Sequence, residues 1–167
     1  MLRTLSALLL LVVGCSTYRP KVRAIDEEYA PYANEGKASV TGQAFITAQG
    51  GEKKYGAAHT VYMVPVTSRS TEAFERGIVR NRPVEPEAEQ SSEMVKKCKR
   101  TVQADADGKF RFEKLPPGNY YVYCQIAYKV AHSYAADRNP TPVERTEVAY
   151  SKVTLAEGEE KSITVTR

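Results

Sequence analysis

T-V-Q-A-D-A-D-G-K-F-R-F-E-K-L-P-P-G-N-Y-Y-V-Y-C-Q-I, residues 101–126, reads as three strands joined by two tight turns. In D-A-D-G, Asp105 and Asp107 can accept bonds from nearby backbone N–H groups while Gly108 tolerates a positive φ. The chain therefore reverses between Val102 and Phe110. In L-P-P-G-N-Y, two prolines fix φ and remove donors, Gly118 permits a second bend, and Tyr120 opens a run in which Tyr120, Val122, Cys124 and Ile126 share one face. That run is a strand with a buried side.

Strand signals continue on both sides of this stretch. In A-S-V-T-G-Q-A-F-I-T, Val40, Gly42, Ala44 and Ile46 alternate with Thr41, Gln43, Phe45 and Thr47, and Gly50 with Gly51 ends the run. H-T-V-Y-M-V-P-V-T also alternates, but Pro65 cannot donate to a ladder, so this second strand is expected to lie exposed along part of its length. Residues 148–155 and 162–165 alternate around the turn at Ala156, Glu157, Gly158 and Glu159 and predict a closing hairpin. Residues 128–145, with Pro140, Pro142 and few apolar side chains, read as a long loop. About seven strands result, suited to two packed antiparallel sheets.

Residues 68–100 interrupt the strand pattern. Residues 71–80 and 87–99 are rich in helix formers, with Pro83 and Pro86 between them, and predict two short helices in one insertion. Glu85, Glu87 and Glu89 precede Lys96, Lys97, Lys99 and Arg100, the polarity a helix dipole favours. The basic cluster is read either as helix-end electrostatics or as a contact for anionic headgroups or polymer.

The 167 residues suit one domain with a short appendage, large enough to fold without metal or many disulfides. The net charge is +4, or +3 without the first 14 residues, which carry Arg3 alone, so no nucleic-acid partner is expected. Arg3, the apolar run from Ala7 to Val13 and then Gly14 match a secretory signal too short to span a bilayer as a mature helix. V-V-G-C, Val12 to Cys15, followed by Ser16, resembles the lipobox of bacterial lipoproteins. The resemblance implies that residues 1–14 are removed and that Cys15 becomes the acylated N-terminus, partnered with membrane lipid in the cell envelope. Ser16 is similar to the outer-membrane sorting pattern of cells with two membranes. Residues 15–35, polar and carrying Pro20 and Pro31, then form a tether with little regular structure. Tyr29 and Tyr32 within it are expected to pack on the edge of the domain.

Residues 36–167 form the domain. The order V-Y-M-V-P-V-T, D-A-D-G-K-F-R-F-E-K-L-P-P-G-N-Y-Y-V and V-T-L-A-E-G-E resembles the carboxypeptidase regulatory-like domains, whose fold is a prealbumin-like (transthyretin-like) Greek-key β-sandwich. Y-A-P-Y followed by V-T-G-Q-A-F is similar to a set of bacterial lipoproteins with this domain. The resemblance implies an accessory or interaction module and no reaction, with the 68–100 insertion as a surface of its own.

Catalytic signals are sparse. The transthyretin-like hydrolases end in Tyr-Arg-Gly-Ser, whereas this chain ends I-T-V-T-R and carries only His59 and His132. Zinc-peptidase pairs, a G-x-S-x-G elbow and a phosphate loop are all missing from the sequence, so neither an enzyme nor a cofactor is expected. Asp105 and Asp107 could also open a calcium loop, but position twelve counted from either falls on Pro116 or Gly118 and supplies no acid. Outside the cytoplasm Cys98 and Cys124 can oxidise, and a disulfide between them is expected; the alternative is a core Cys124 and a free Cys98.

Two functions follow. One is a non-enzymatic, membrane-anchored envelope lipoprotein with a structural or protein-interaction role. The other is a carbohydrate-binding module or an accessory domain of an envelope enzyme, in which Tyr121, Tyr123 and Tyr128 offer an aromatic strip to sugar rings. The competing reading of those tyrosines is packing at a sheet edge or under a helix.

Overall fold

Alternation places Ala38, Val40, Ala44 and Ile46 in the core while Thr41, Gln43 and Phe45 face outward, and this first strand organises one of two sheets. The computed structural model describes residues 22–79, 93–131 and 142–167. Among these, the elements in order are α1 (Val22–Tyr29), a 3-10 turn (Ala30–Tyr32), β1 (Ala38–Thr47), β2 (Lys53–Tyr55), β3 (Thr60–Pro65) and α2 (Ser68–Val79). They continue with α3 (Glu93–Cys98), β4 (Arg100–Gln103), β5 (Lys109–Leu115), β6 (Gly118–Ala131), β7 (Pro142–Leu155) and β8 (Glu160–Val165).

The protein is a mainly β sandwich of two sheets. The first sheet runs β2-β1-β5, with β8 parallel to β1 on its other side; the second is antiparallel, in the order β4-β3-β6-β7. Val40, Ile46, Val61, Met63, Leu115, Val122, Ile126 and Val165 meet between the sheets, each at most 1% exposed. At about 25 cal/mol per Å² of apolar surface, this layer supplies most of the folding drive.

The central stretch folds as its residues dictate. Asp105 Oδ1 accepts from the N–H groups of Asp107 (2.9 Å) and Lys109 (2.8 Å), and Gly108 takes φ 74°. Asp105 thus spends its carboxylate on its own turn. Tyr120 donates its hydroxyl to Pro116 O at 2.7 Å inside the core, and burial pushes its phenol well above the ordinary range.

Several expectations change. The described residues hold eight strands rather than about seven, because the chain beyond Gly50 and Gly51 returns along β1 as the short β2. The expected long loop at residues 128–145 is strand at both ends: β6 and β7 pair without interruption from Gly118↔Leu155 to Ala131↔Pro142. Pro142 is tolerated because it is the first residue of β7, an end strand of its sheet. β3 lies between β4 and β6 as far as Met63, and its end at Val64 and Pro65, the part expected to be an edge, has no β4 partner. Pro65 is its last residue, and the pairing to β4 has already stopped at Met63, so its missing N–H interrupts no ladder.

The tether also departs from its reading. Residues 22–32 are helical, and Tyr29 is 2% exposed in a small cluster with Val95 and Cys98. Tyr29 and Tyr32 do pack on the domain. Tyr32 stands edge-on to Tyr120 with ring centroids 5.2 Å apart. Both expected insertion helices are present, with shifted bounds. α2 begins at Ser68 because Thr67 and Ser70 form a reciprocal cap, Ser70 N–H to Thr67 Oγ1 at 3.1 Å and Thr67 N–H to Ser70 Oγ at 2.8 Å. The signal segment, Cys15, Ser16 and His132 lie outside the described residues.

Candidate binding surface

The two sheets differ on their outer faces. On the second sheet, Tyr62 and Tyr123 stack at 5.0 Å, and Phe74 of α2 lies on Tyr121 at 4.2 Å and 18°. Val148 completes this cluster. Tyr121 is 8% and Tyr123 3% exposed, so the helix covers them and neither offers a ring face to a ligand. Tyr128 is on the opposite side of β6, the core side, and its hydroxyl donates to Glu147 Oε1 at 2.5 Å. The expected strip of Tyr121, Tyr123 and Tyr128 is therefore not formed: alternation puts an even and an odd residue of one unbroken strand on different faces.

The disulfide is not formed either. Cys98 and Cys124 are both free and buried. The residue of β4 level with Cys124 is Val102, two strands and so about 9–10 Å away, while Cys98 ends α3 two residues before β4 and packs in a different cluster, with Tyr29 and Val95. A disulfide needs Cα atoms within about 7 Å. Cys98 Sγ instead donates to Tyr29 O at 3.5 Å, and desolvation holds its thiol above the ordinary range. Burial pushes the Cys124 thiol up to about 12.

The basic cluster is mostly spoken for. Lys96 pairs with Glu93 at 2.8 Å within α3, and Lys99 sits 4.8 Å over the Tyr62 ring. His59, partly buried, uses both ring nitrogens: one meets Ala57 O at 2.8 Å, and Nε2 accepts from Ala127 N–H at 3.1 Å. It extends the pairing of β3 with β6 just before β3 begins. Among the described residues, no group of three or more His, Cys, Asp and Glu side chains gathers in a way that could hold a metal ion.

Among the described residues, no helix packs on the outer face of the first sheet. Strand register lays its side chains out in rows: Ser162, Thr41 and Arg111 in one, Thr164, Gln43 and Lys109 in the next, and then the aromatic pair Phe45 and Tyr55. Neighbouring strands set the side chains of a row about 4.8 Å apart, and alternate residues along a strand set the rows about 7 Å apart. A shallow depression of ≈ 480 Å³ is lined by Thr41, Gln43, Lys109, Ser162 and Thr164. The hydroxyls of Thr41, Ser162 and Thr164 have no partner among the described residues. Gln43 Nε2 donates to Asp107 O at 2.8 Å, which holds the amide in place. Lys109 bonds Asp107 at 2.9 Å, and that carboxylate raises the Lys109 ammonium above its ordinary range.

Phe45 and Tyr55 meet edge-on at 6.0 Å beside this field, with Lys53 Nζ 4.6 Å over the Phe45 ring and Tyr55 42% exposed. The arrangement can exchange several hydrogen bonds with a hydroxylated ligand and support its apolar face on an aromatic ring. Sequence reading passed over these residues, although the polar half of V-T-G-Q-A-F was visible as the face opposite Val40 and Ala44.

No family model and no curated protein matches the chain. Among solved structures it is similar to a candidate carbohydrate-binding protein of Pseudomonas aeruginosa, at 19% identity and a TM-score of 0.66, over 85% of this chain and 96% of that one. A 9R-lipoxygenase from Cyanothece spans 88% of this chain but 21% of its own length, at 12% identity and a TM-score of 0.26, too low for the folds to correspond. The likeness to the Pseudomonas protein is one of fold, and the chain shares that protein's sandwich along almost its whole length.

Proposed function

We propose that the protein is a non-enzymatic, lipid-anchored binding module of the cell envelope that takes a glycan on the outer face of its first sheet. The carrying observation is the group of hydroxyls at Thr41, Ser162 and Thr164, spread over two neighbouring rows and without a partner among the described residues, around the fixed Gln43 amide and beside Tyr55. Sugars present closely spaced hydroxyls that act as both donor and acceptor, and a field of short hydroxyl and amide groups meets that pattern. The carbohydrate-binding role proposed for the structural neighbour supports this reading. The anchor rests on V-V-G-C at Cys15, and the module type on the likeness of residues 105–122 to carboxypeptidase regulatory-like domains.

Calorimetric titration of the detergent-solubilised full-length protein with cell-wall and capsular oligosaccharides tests the ligand. Gln43→Ala and Ser162→Ala are expected to weaken binding about tenfold each, the equivalent of roughly one charge-free hydrogen bond, with unfolding unchanged for Ser162→Ala and slightly easier for Gln43→Ala, which also loses its bond to Asp107 O. A wild type that binds none of these glycans at millimolar concentration refutes the reading. Metabolic labelling with an alkyne fatty acid, expected in the wild type and lost in Cys15→Ala, tests the anchor.

A second reading, a protein partner, is favoured by the far end of β6 and β7, where the two strands continue as a ribbon and Val143 is 43% exposed. Photocrosslinking from position 143 in intact cells distinguishes the two: a single captured protein supports a partner, and capture of glycan material does not.

A further inference from the structure

β5 is an end strand of the first sheet. Its free side is defined by alternation: Ala44 N–H bonds to Gly108 O at 2.9 Å and Ser39 N–H to Glu159 O at 2.9 Å, so even residues of β1 turn to β5 and odd ones to β8. The partners of the even residues, Phe110 and Phe112, therefore turn their backbone groups inward. Lys109, Arg111 and Glu113 turn theirs outward.

Two of the outward positions remain available. At Lys109 both groups are occupied, the N–H by Asp105 Oδ1 at 2.8 Å and the C=O by Asp105 N–H at 2.9 Å. Beyond Glu113, Lys114 takes a left-handed φ of 56°, its carbonyl accepts from Gly36 N–H at 3.1 Å, and the register shifts between Ala38 and Val40. The ladder direction ends there. Among the described residues, Arg111 and Glu113 are thus left with four unpaired backbone groups, symmetric about Phe112, on exposed residues of opposite charge.

We infer that β5 pairs with β5 of a second copy of this chain, antiparallel and two-fold about Phe112. In that register Arg111 lies opposite Glu113 of the partner subunit, and each pair exchanges both backbone bonds. Arg111 Nε already meets Glu113 Oε1 of its own chain at 2.6 Å. The two copies together therefore make a square in which every neighbouring charge is opposite. A charged edge usually repels strand addition, but this Arg-x-Glu spacing is complementary only to itself in reverse and so selects its own copy. Among the other edges, β7 is already met at Tyr150, whose N–H donates to Thr166 O at 3.2 Å, which closes part of it to a partner strand. The pairing would join two first sheets into one continuous surface and set two depressions on the same side, which makes binding of a repeating polymer bivalent. The inference stands whether or not the ligand is a glycan.

Sedimentation equilibrium of the full-length protein in density-matched detergent tests it. The wild type is expected to dimerise at concentrations up to about 0.3 mM, Arg111→Glu to weaken the dimer at least tenfold, and the swap Arg111→Glu with Glu113→Arg to restore it. Both variants change exposed side chains outside the core, and an unchanged unfolding midpoint verifies that the fold is kept. Copies carrying Arg111→Cys and Glu113→Cys are expected to form a mixed disulfide on oxidation. A monomeric wild type overturns the inference. So does a dimer indifferent to Arg111→Glu, or one that the swap fails to restore.

Discussion

At Gly118 a side chain has nowhere to go: φ is 149°, and a Cβ there would lie 2.5 Å from the Tyr32 ring. Gly118→Ala must displace that ring and strain the backbone, and is expected to lower stability by about 2–3 kcal/mol, read from denaturant unfolding. The thiols make a second prediction at this scale. Cys98 and Cys124 are buried and their thiols are held in the protonated form, so neither should react with an aromatic disulfide reagent until the protein unfolds. Intact mass should be the same with and without reductant. The turn residues around them were legible in the sequence because Asp105, Gly108 and Gly118 act through their own backbones. The cysteine pairing was not, since separation along a chain says nothing of position across a sheet. The aromatic strip failed partly on parity, which Tyr128 already displayed by its number, and partly because α2 covers Tyr121 and Tyr123, which their spacing could not show.

Among the elements, α1 and α2 are tied together in a way composition conceals. Glu28 accepts from Ser68 N–H at 2.7 Å and from the Ser68 hydroxyl at 2.6 Å, placing a carboxylate at the N-terminus of α2 from forty residues away. The Ser68 hydroxyl and then its N–H hold the Glu28 carboxyl below its ordinary value of 4.5. A depressed carboxyl stabilises the fold above the unfolded value, and that stabilisation is lost as pH falls through the folded value. Glu28→Ala is therefore expected to cost about 1 kcal/mol at neutral pH, as loss of a helix cap does. Its deficit against the wild type should shrink below pH 4.5, which urea unfolding across pH would show. Nothing in V-R-A-I-D-E-E-Y announces a helix strongly, because its support comes from partners: Tyr29 inserts beside Cys98, and Thr67 Oγ1 donates to the Tyr29 hydroxyl at 3.1 Å. The strands were legible for the converse reason, since each carries its own buried and exposed halves. Which outer face a helix covers was not legible, because it depends on where α2 lands.

For the whole molecule, these contacts place the start of the domain before Gly36. A chain lacking residues 1–33 loses Glu28, Tyr29 and Tyr32 and is expected to be about 3 kcal/mol or more less stable, from the burial of Tyr29 and the Tyr32–Tyr120 contact. The parallel pairing of β1 with β8 reaches further. Ser39 meets Glu160, about 120 residues later in the chain, and until β8 arrives one whole side of β1 has no neighbour. Such long-range closure is slow, because a large loop must be ordered before the contact forms. While β8 is still inside the ribosome tunnel, the sandwich cannot be completed. The strand order thus works as a delay: it keeps the chain pliable until β8 is free to pair.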